Sequence, residues 1–197
     1  MKKPAVILPP AIVEGRLEAG CDEAGRGCLA GPVVAAAVIL PDGYELPGLT
    51  DSKKLSEARR EQLRAIIERD AVAWAIAQCS PAEIDDMNIL QASITAMHRA
   101  LDALTTTPGA VAVDGNRFRP WGSVECTTVV KGDARYAHIA AASILAKTER
   151  DRLMIRLHQQ FPQYGWDGNK GYPTAAHRAA IAAHGTTPHH RLTFRLS

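Results

Sequence analysis

The 197-residue sequence is poor in aromatic residues and in cysteine. Aromatic side chains make up only 5% of the chain, so we expect a core built mainly from Ala, Val, Ile and Leu. The four cysteines form no Cys-x-x-Cys pair, and no histidine stands at zinc-finger spacing from them. These absences exclude a disulfide scaffold and a structural zinc site, and they favour buried thiols in a reducing compartment.

Long hydrophobic runs are also missing. The longest one, Pro32 to Pro41, is too short to cross a bilayer, for which about 20 residues are needed. Near the start of the chain, Pro9 and Pro10 interrupt a short apolar stretch and Glu14 follows it, which makes a poor signal peptide. We therefore expect a soluble cytoplasmic protein.

The chain has almost no excess of charge, since 23 Lys and Arg face 21 Asp and Glu. A net charge of +2 argues at first against a nucleic-acid partner, because such domains are usually basic. However, residues 1–110 hold eleven basic and fifteen acidic residues, whereas residues 111–197 hold twelve and six. The total is an average over unlike regions, and it does not exclude a phosphate backbone as ligand.

Segments typical of strands alternate with segments of helical periodicity, which predicts an α/β fold with a sheet that is not purely parallel. One predicted strand ends near Cys21, and four others cover Val33–Leu40, Val72–Cys79, Ala110–Val113 and Val124–Val130. The predicted helices cover Ser56–Arg69, a segment capped by Ser80-Pro81-Ala82-Glu83, Ile89–Leu104, Tyr136 to about Phe161, and Thr174–His184. Residues 161–173 are rich in Gly and Pro, and we treat them as a loop.

Acidic residues stand where the predicted strands end. Asp22 and Glu23 follow Cys21 and precede two glycines, Asp114 follows a short apolar strand, and Asp133 follows the next one. Each has an ordinary explanation as a turn residue or a helix cap. Open α/β sheets place their sites at strand ends, so the four carboxylates can converge. Such a cluster is costly without cations, and its oxygen ligands favour Mg²⁺ or Mn²⁺ in two-metal phosphoryl transfer.

Six motifs in the sequence resemble those of a known family, bacterial ribonuclease HII. The motifs that carry the resemblance are Asp22-Glu23-Ala24-Gly25-Arg26-Gly27, Asp51-Ser52-Lys53-Lys54-Leu55-Ser56, Val113-Asp114-Gly115, Lys131-Gly132-Asp133, Ala140 to Lys147 followed by Arg150-Asp151, and Asn169-Lys170-Gly171-Tyr172. They occur in order from about Glu18 to Phe194, which makes the set specific although each motif alone is weak.

The resemblance implies a ribonuclease H-like fold, with a central mixed five-stranded sheet flanked by helices and a short helical C-terminal portion. We expect residues 1–197 to form one catalytic domain, with a lead-in over about 1–16 and the helical portion over about 160–197.

The resemblance further implies a metal-dependent endoribonuclease that acts on RNA–DNA hybrids and cuts 5′ of ribonucleotides embedded in DNA. The products carry 3′-hydroxyl and 5′-phosphate ends, as in ribonucleotide excision repair. Asp22, Glu23, Asp114 and Asp133 match the family's metal-binding catalytic carboxylates.

Substrate-binding residues are also implied by the resemblance. Gly25-Arg26-Gly27 matches the family's motif for sensing the ribose 2′-hydroxyl, and Tyr172 matches the tyrosine that stacks on the neighbouring deoxynucleotide sugar. The remaining expected substrate contacts are Lys53, Ser143, Lys147 and Lys170. The glycines alone have a second explanation as shapers of the bend, and a lone loop tyrosine is more often a packing residue. We expect Asp151 to form a structural ion pair outside the metal site.

Two other functions compete with this one. A related metal-dependent nuclease that acts on DNA would share the carboxylates, although the contexts of Arg26 and Tyr172 argue against it. A catalytically silent nucleic-acid binding module is disfavoured because all four acids are present. We expect a monomer with nucleic acid as its partner, with no membrane association and no obligate protein partner.

Overall fold

The computed structural model describes residues 7–13 and 15–197. The strands are β1 Glu18–Ala24, β2 Val33–Ile39, β3 Ala73–Cys79, β4 Ala110–Asp114 and β5 Glu125–Val129. The helices are α1 Glu57–Asp70, α2 Pro81–Met87, α3 Ile89–Asp102, α4 Ala137–Gln160, α5 Trp166–Asn169 and α6 Ala175–His184. No helix in this described part is long and apolar enough to span a membrane.

The strands form one five-stranded mixed sheet in the order β3-β2-β1-β4-β5. β1, β4 and β5 run parallel to one another, and β2 runs antiparallel to both β1 and β3. The predicted mixed α/β sheet is therefore confirmed. Because three parallel strands lie side by side, their carboxyl ends meet at one edge of the sheet.

Helices cover both faces of the sheet. On one face, α3 packs its small and apolar side chains against alternate residues of β1, β2 and β4. On the other face, α4 and α1 cover the remaining residues of β2, such as Ala36 and Val38. The abundant alanine allows α4 to lie very close to the sheet. At Gly20, in β1, a Cβ atom would fall 2.4 Å from the carbonyl carbon of His138 in α4.

The N-terminal lead-in caps α4 in place of a side chain. The backbone N–H groups of Ala137 and His138 donate to the carbonyls of Pro9 and Pro10, at 2.8 and 3.3 Å. The side chains of Glu18 and His138 form a buried pair at 2.8 Å beneath this segment. These bonds satisfy donors that the start of a helix leaves without partners within the helix.

Most predicted elements are confirmed. Ser56 caps α1, and Ser80 with Glu83 forms the predicted capping box at α2. Two predictions were wrong in detail. β1 does not end near Cys21 but continues to Ala24, because β2 pairs with it up to that residue. Residues 161–173 are not only loop, since they contain a 3-10 turn at Pro162–Tyr164 and the helix α5.

Candidate active site

The sheet topology brings the four predicted carboxylates to one edge. Asp22 and Glu23 lie near the end of β1, and Asp114 is the last residue of β4. Asp133 lies in a 3-10 turn, Gly132–Ala134, shortly after β5. The register of β1 on β4 pairs Cys21 with Val113, so Asp22 and Asp114 follow that pair on adjacent strands.

Asp22 and Glu23 stand on opposite faces of the sheet, as alternation along a strand requires. Cys21 belongs to the core under α3, so Glu23 lies on that side and Asp22 faces α4. Asp22 is buried and one of its oxygens accepts the backbone N–H of Glu23 at 2.7 Å. Glu23 accepts a hydrogen bond from Arg26 at 3.2 Å, which fixes the acid at the boundary between two cavities.

Asp114 and Asp133 are linked through the turn that follows β5. The backbone N–H of Gly132 donates to Asp114 at 2.7 Å, which ties the end of β4 to this turn. Lys131 begins the turn in the left-handed conformation, with φ of 57°. Gly132 lies against Ile139 of α4, so the turn is held close to the helix and Asp133 is buried.

The carboxylates affect one another electrostatically. Burial raises the pKa of Asp22 well above its ordinary range, and repulsion from Glu23 and Asp114 raises it further. Burial raises the pKa of Asp133 too, and Asp114 adds to this effect. Burial likewise raises the pKa of Glu23, although Arg26 acts in the opposite direction. Crowding and burial therefore disfavour full ionisation of the cluster, and bound cations would favour the charged carboxylates.

Lys53 supplies one such cation from the protein itself. It lies in the 3-10 turn Ser52–Lys54, where the side chain of Asp51 accepts the Lys53 backbone N–H at 2.9 Å. Burial disfavours its charged form, but the nearby carboxylates, Asp22 first among them, raise the pKa of Lys53 above its usual value. A positive side chain thus lines the same cavity as Asp22 and Glu23.

The donor set fits a hard divalent cation by its chemistry. All four groups are carboxylates, the ligands that Mg²⁺ and Mn²⁺ prefer over the nitrogen and sulfur ligands of zinc. Within residues 7–13 and 15–197, no three His, Cys, Asp or Glu side chains enclose an ion-sized point as they stand. In this arrangement Asp22, Glu23 and Asp114 each accept a hydrogen bond from the protein.

A cavity of about 240 Å³ opens beside the acidic cluster and collects most of the predicted substrate residues. Its lining includes Asp22, Glu23, Gly25, Arg26, Gly27, Ser52, Lys53, Ser143, Lys147 and Tyr172. Lys170 is not in this lining, and its ammonium group donates to the carbonyl of Asp167 instead. The sequence did not single out Ser52, whose hydroxyl lies 3.0 Å from that of Ser143 on α4 and joins the two walls.

Tyr172 forms one wall of this cavity and is 39% exposed. Two cations stand over its ring, with the Lys147 ammonium 5.7 Å and the Arg150 guanidinium 5.9 Å from the centroid. Lys147 also pairs with Asp151 at 2.7 Å, and Arg60 lies 3.7 Å from the same acid. Asp151 therefore has the structural ion pair that we predicted for it.

Two buried arginines, which the sequence did not single out as functional, hold the loops around this cavity. Arg191 donates to the carbonyls of Gly25 and Arg26 at 2.7 and 2.9 Å. Arg150 donates to the carbonyls of Ala30 and Lys170 at 3.0 and 2.8 Å, which joins the two loops that flank the cavity. Both guanidinium groups are fully buried and bonded to backbone oxygens. Arg150 stands in one of the motifs named above. Its hydrogen-bond acceptors are backbone carbonyls, which every residue type has, so the sequence gives no sign of these bonds.

Fold and site together define a class. A mixed sheet with clustered carboxylates at the ends of parallel strands is the arrangement of metal-dependent enzymes that hydrolyse phosphate esters. The family model described as Ribonuclease HII matches residues 19–197. A curated Ribonuclease HII from Bacteroides fragilis (strain YCH46) is 63% identical over 190 residues, covering 96% of this chain and 94% of its relative.

Solved structures agree with this match. The ribonuclease HII in the PCNA complex from Archaeoglobus fulgidus superposes with a TM-score of 0.76 at 29% identity, covering 92% of this chain and 96% of that one. The ribonuclease H2 from Pyrococcus horikoshii OT3 gives 0.74 at 27% identity, with 91% and 94% covered. The chain belongs to the ribonuclease HII family, and its activity is that of a metal-dependent ribonuclease H.

Proposed function

We propose that this chain hydrolyses the RNA strand of RNA–DNA hybrids and cuts on the 5′ side of ribonucleotides embedded in duplex DNA. The products would carry 3′-hydroxyl and 5′-phosphate ends. The observation that supports this proposal most directly is the position of the four carboxylates, which lie at the carboxyl ends of two adjacent parallel strands and in the turn after the third. We assign Asp22, Glu23, Asp114 and Asp133 as the catalytic metal ligands.

The proposed cofactor is a pair of Mg²⁺ or Mn²⁺ ions held by these four side chains. When bound, such ions lower the pKa of a water molecule and offset the charge that develops on the phosphate. The protein contributes position. Arg26 holds the Glu23 carboxylate at 3.2 Å, and the Gly132 N–H holds Asp114 at 2.7 Å. Lys53 adds a positive charge where the scissile phosphate must approach the acids.

Substrate reading is assigned to the other wall of the cavity. The 2′-hydroxyl distinguishes RNA from DNA, and the backbone of Gly25-Arg26-Gly27 lines the cavity beside the acids where a ribose can be sensed. The half-exposed Tyr172 ring provides a flat surface for the sugar of the deoxynucleotide on the 3′ side. We assign Ser143, Lys147 and Lys170 to further contacts with the bound strand.

We further propose that residues 1–197 act as a single catalytic domain and as a monomer. The relative from Archaeoglobus fulgidus was solved with PCNA, but we propose no obligate protein partner for this chain. Its location in the cytoplasm stays a prediction.

The proposed function is tested with three duplexes of equal length, each with and without Mg²⁺. One carries a single embedded ribonucleotide, one is an RNA–DNA hybrid, and one is all DNA. We expect Mg²⁺-dependent cutting of the first two and none of the third, with the first cut 5′ of the ribonucleotide. Cutting of the all-DNA duplex would indicate a DNA nuclease, and binding without cutting would indicate a silent binding module.

A further inference from the structure

A second cavity system leads away from the acidic cluster on the side opposite Tyr172. A cavity of about 210 Å³ contains Glu23, Asp114 and Arg117. It shares Arg117 and three other lining residues with a larger groove of about 690 Å³. This groove, here called the α3 groove, lies between α3, which contributes Gln91, and the loop after β4, which contributes Asn116, Arg117, Phe118 and Arg119. A continuous path therefore runs from the carboxylates into the α3 groove.

The loop that forms one wall of the α3 groove is anchored on α3. The Phe118 ring packs edge-on against His98, with centroids 5.0 Å apart, and the His98 ring nitrogen lies 3.1 Å from the carbonyl of Arg119. Just beyond, the Trp121 indole donates to Asp102 at 2.8 Å. These contacts fix the backbone of the loop, so the groove exists before any ligand binds.

The α3 groove is positively charged. Arg117 and Arg119 are both exposed, and within the described residues no carboxylate lies at salt-bridge distance from either guanidinium. Its lining contains no acidic residue, and Gln91 and Asn116 add neutral polar groups. Neither guanidinium has a carboxylate partner among the described residues, and Arg119 donates to the Thr95 hydroxyl at 3.4 Å. Two such positive groups beside the acidic site favour a polyanion over an apolar ligand.

We propose that the α3 groove binds the phosphodiester backbone of the cleaved strand, on the 5′ side of the scissile phosphate, through Arg117 and Arg119. The direction follows from the two ends of the path. The proposed function places the 3′ deoxynucleotide at Tyr172, so a strand that continues past Glu23 and Asp114 enters the groove with its 5′ portion. The inference rests on that proposed function and extends it to the nucleotides upstream of the cut.

The test compares the full-length protein with the double variant Arg117→Gln/Arg119→Gln. Arg69→Gln is the control for a lost surface arginine, because Arg69 lies near the end of α1 just before β3, at the opposite edge of the sheet. Arg117→Lys/Arg119→Lys keeps the charge and should recover most of the binding. Thermal unfolding of each variant shows whether it is folded.

Binding is measured in EDTA, over a range of salt concentrations, with a labelled duplex that carries one ribonucleotide. We expect roughly tenfold weaker binding by the Gln double variant at low salt, and a salt slope that is smaller by about two, since each phosphate contact contributes about 0.9. The difference should disappear when the duplex is cut back on the 5′ side of the ribonucleotide, and it should persist when the 3′ side is cut back.

Unchanged affinity and salt slope in the Gln double variant would overturn the inference, as would a difference that disappears only on trimming the 3′ side. Either result counts against the inference alone when the wild-type protein cuts the ribonucleotide-containing duplex with Mg²⁺. Failure of the wild-type protein to cut that duplex would instead refute the proposed function itself.

Discussion

At the scale of single residues, the two glycines around Arg26 have different surroundings. Gly25 has φ of +96°, and a Cβ atom there would lie 1.9 Å from the Arg150 Nε. Arg150 has no room to move aside, because it is buried and bonded to three carbonyls. Gly27 has no atom within 4 Å of its missing Cβ. The structure therefore requires glycine at position 25 but not at position 27.

This difference separates the two explanations that the sequence left open for these glycines, which are shaping the bend and sensing the ribose 2′-hydroxyl. Gly25→Ala should destabilise the protein by about 2 kcal/mol or more, through a strained backbone and overpacking. Gly27→Ala should change the free energy of unfolding by less than about 0.5 kcal/mol. If Gly27 lets the backbone approach a ribose, its Ala variant should nevertheless raise KM for the ribonucleotide-containing duplex roughly tenfold, a cost of about 1.4 kcal/mol.

Urea unfolding and steady-state kinetics of the two Ala variants check this pair of predictions. A Gly27→Ala protein with wild-type KM would show that Gly27 has no part in substrate approach. A Gly25→Ala protein as stable as the wild type would contradict the packing of Arg150 against this loop.

At the scale of elements, the C-terminal portion is joined by a network of neutral histidines. The Trp166 indole donates to Nε2 of His177 at 3.0 Å, so the His177 proton is on Nδ1, which faces the Tyr172 carbonyl at 2.9 Å. The Thr187 N–H donates to Nδ1 of His190 at 3.0 Å, which leaves the His190 proton on Nε2, directed at His177. Both rings are buried, and the network fixes the backbone of Tyr172.

Acid should weaken this network. Burial, with a smaller effect of His177, lowers the pKa of His190 to about 4. The unfolded chain takes up a proton near the ordinary value of about 6.5, whereas the folded protein does not, so His190 stabilises the fold fully only above that pH. We expect this contribution to fall by at most about 1.4 kcal/mol per pH unit between pH 6.5 and 4.

The measurement is urea unfolding from pH 7 to pH 4.5 for the wild type and His190→Asn, which keeps an acceptor for the Thr187 N–H. The Asn variant should show a shallower loss of stability with acid, whatever its stability at pH 7. Exposed His184→Asn is the control for a lost histidine outside the network. Equal slopes in wild type and His190→Asn would contradict the lowered pKa of His190 in the folded protein.

The sequence predicted elements well where local signals were strong. Ser80 and Glu83 form a capping box, and the β-branched run of β2 could be identified without partners. The short α5 was missed because four residues that include a glycine carry no periodicity. The end of β1 was misplaced because pairing with β2, rather than local composition, decides how far that strand extends.

At the scale of the whole molecule, position along the chain and charge sign are related. The acidic cluster draws two of its carboxylates from β1, and the two arginines of the α3 groove come from the loop after β4, in the basic region 111–197. The net charge of +2 is the sum of −4 over residues 1–110 and +6 over residues 111–197, and the second region also contains Asp114 and Asp133. The four carboxylates could be predicted because each stands at or shortly after the end of an apolar segment of the sequence. The groove could not be predicted, because α3 and that loop meet only in the folded chain.

The central claim is that four carboxylates at one sheet edge bind the divalent cations that this ribonuclease needs. The most direct test is the initial rate of cutting of a duplex with one embedded ribonucleotide, measured over a Mg²⁺ titration for wild type and Asp114→Asn. We predict saturable Mg²⁺ dependence for the wild type, and for the variant a rate lower by at least about a hundredfold at every Mg²⁺ concentration, with unchanged unfolding. Substantial cutting by folded Asp114→Asn protein would contradict the account.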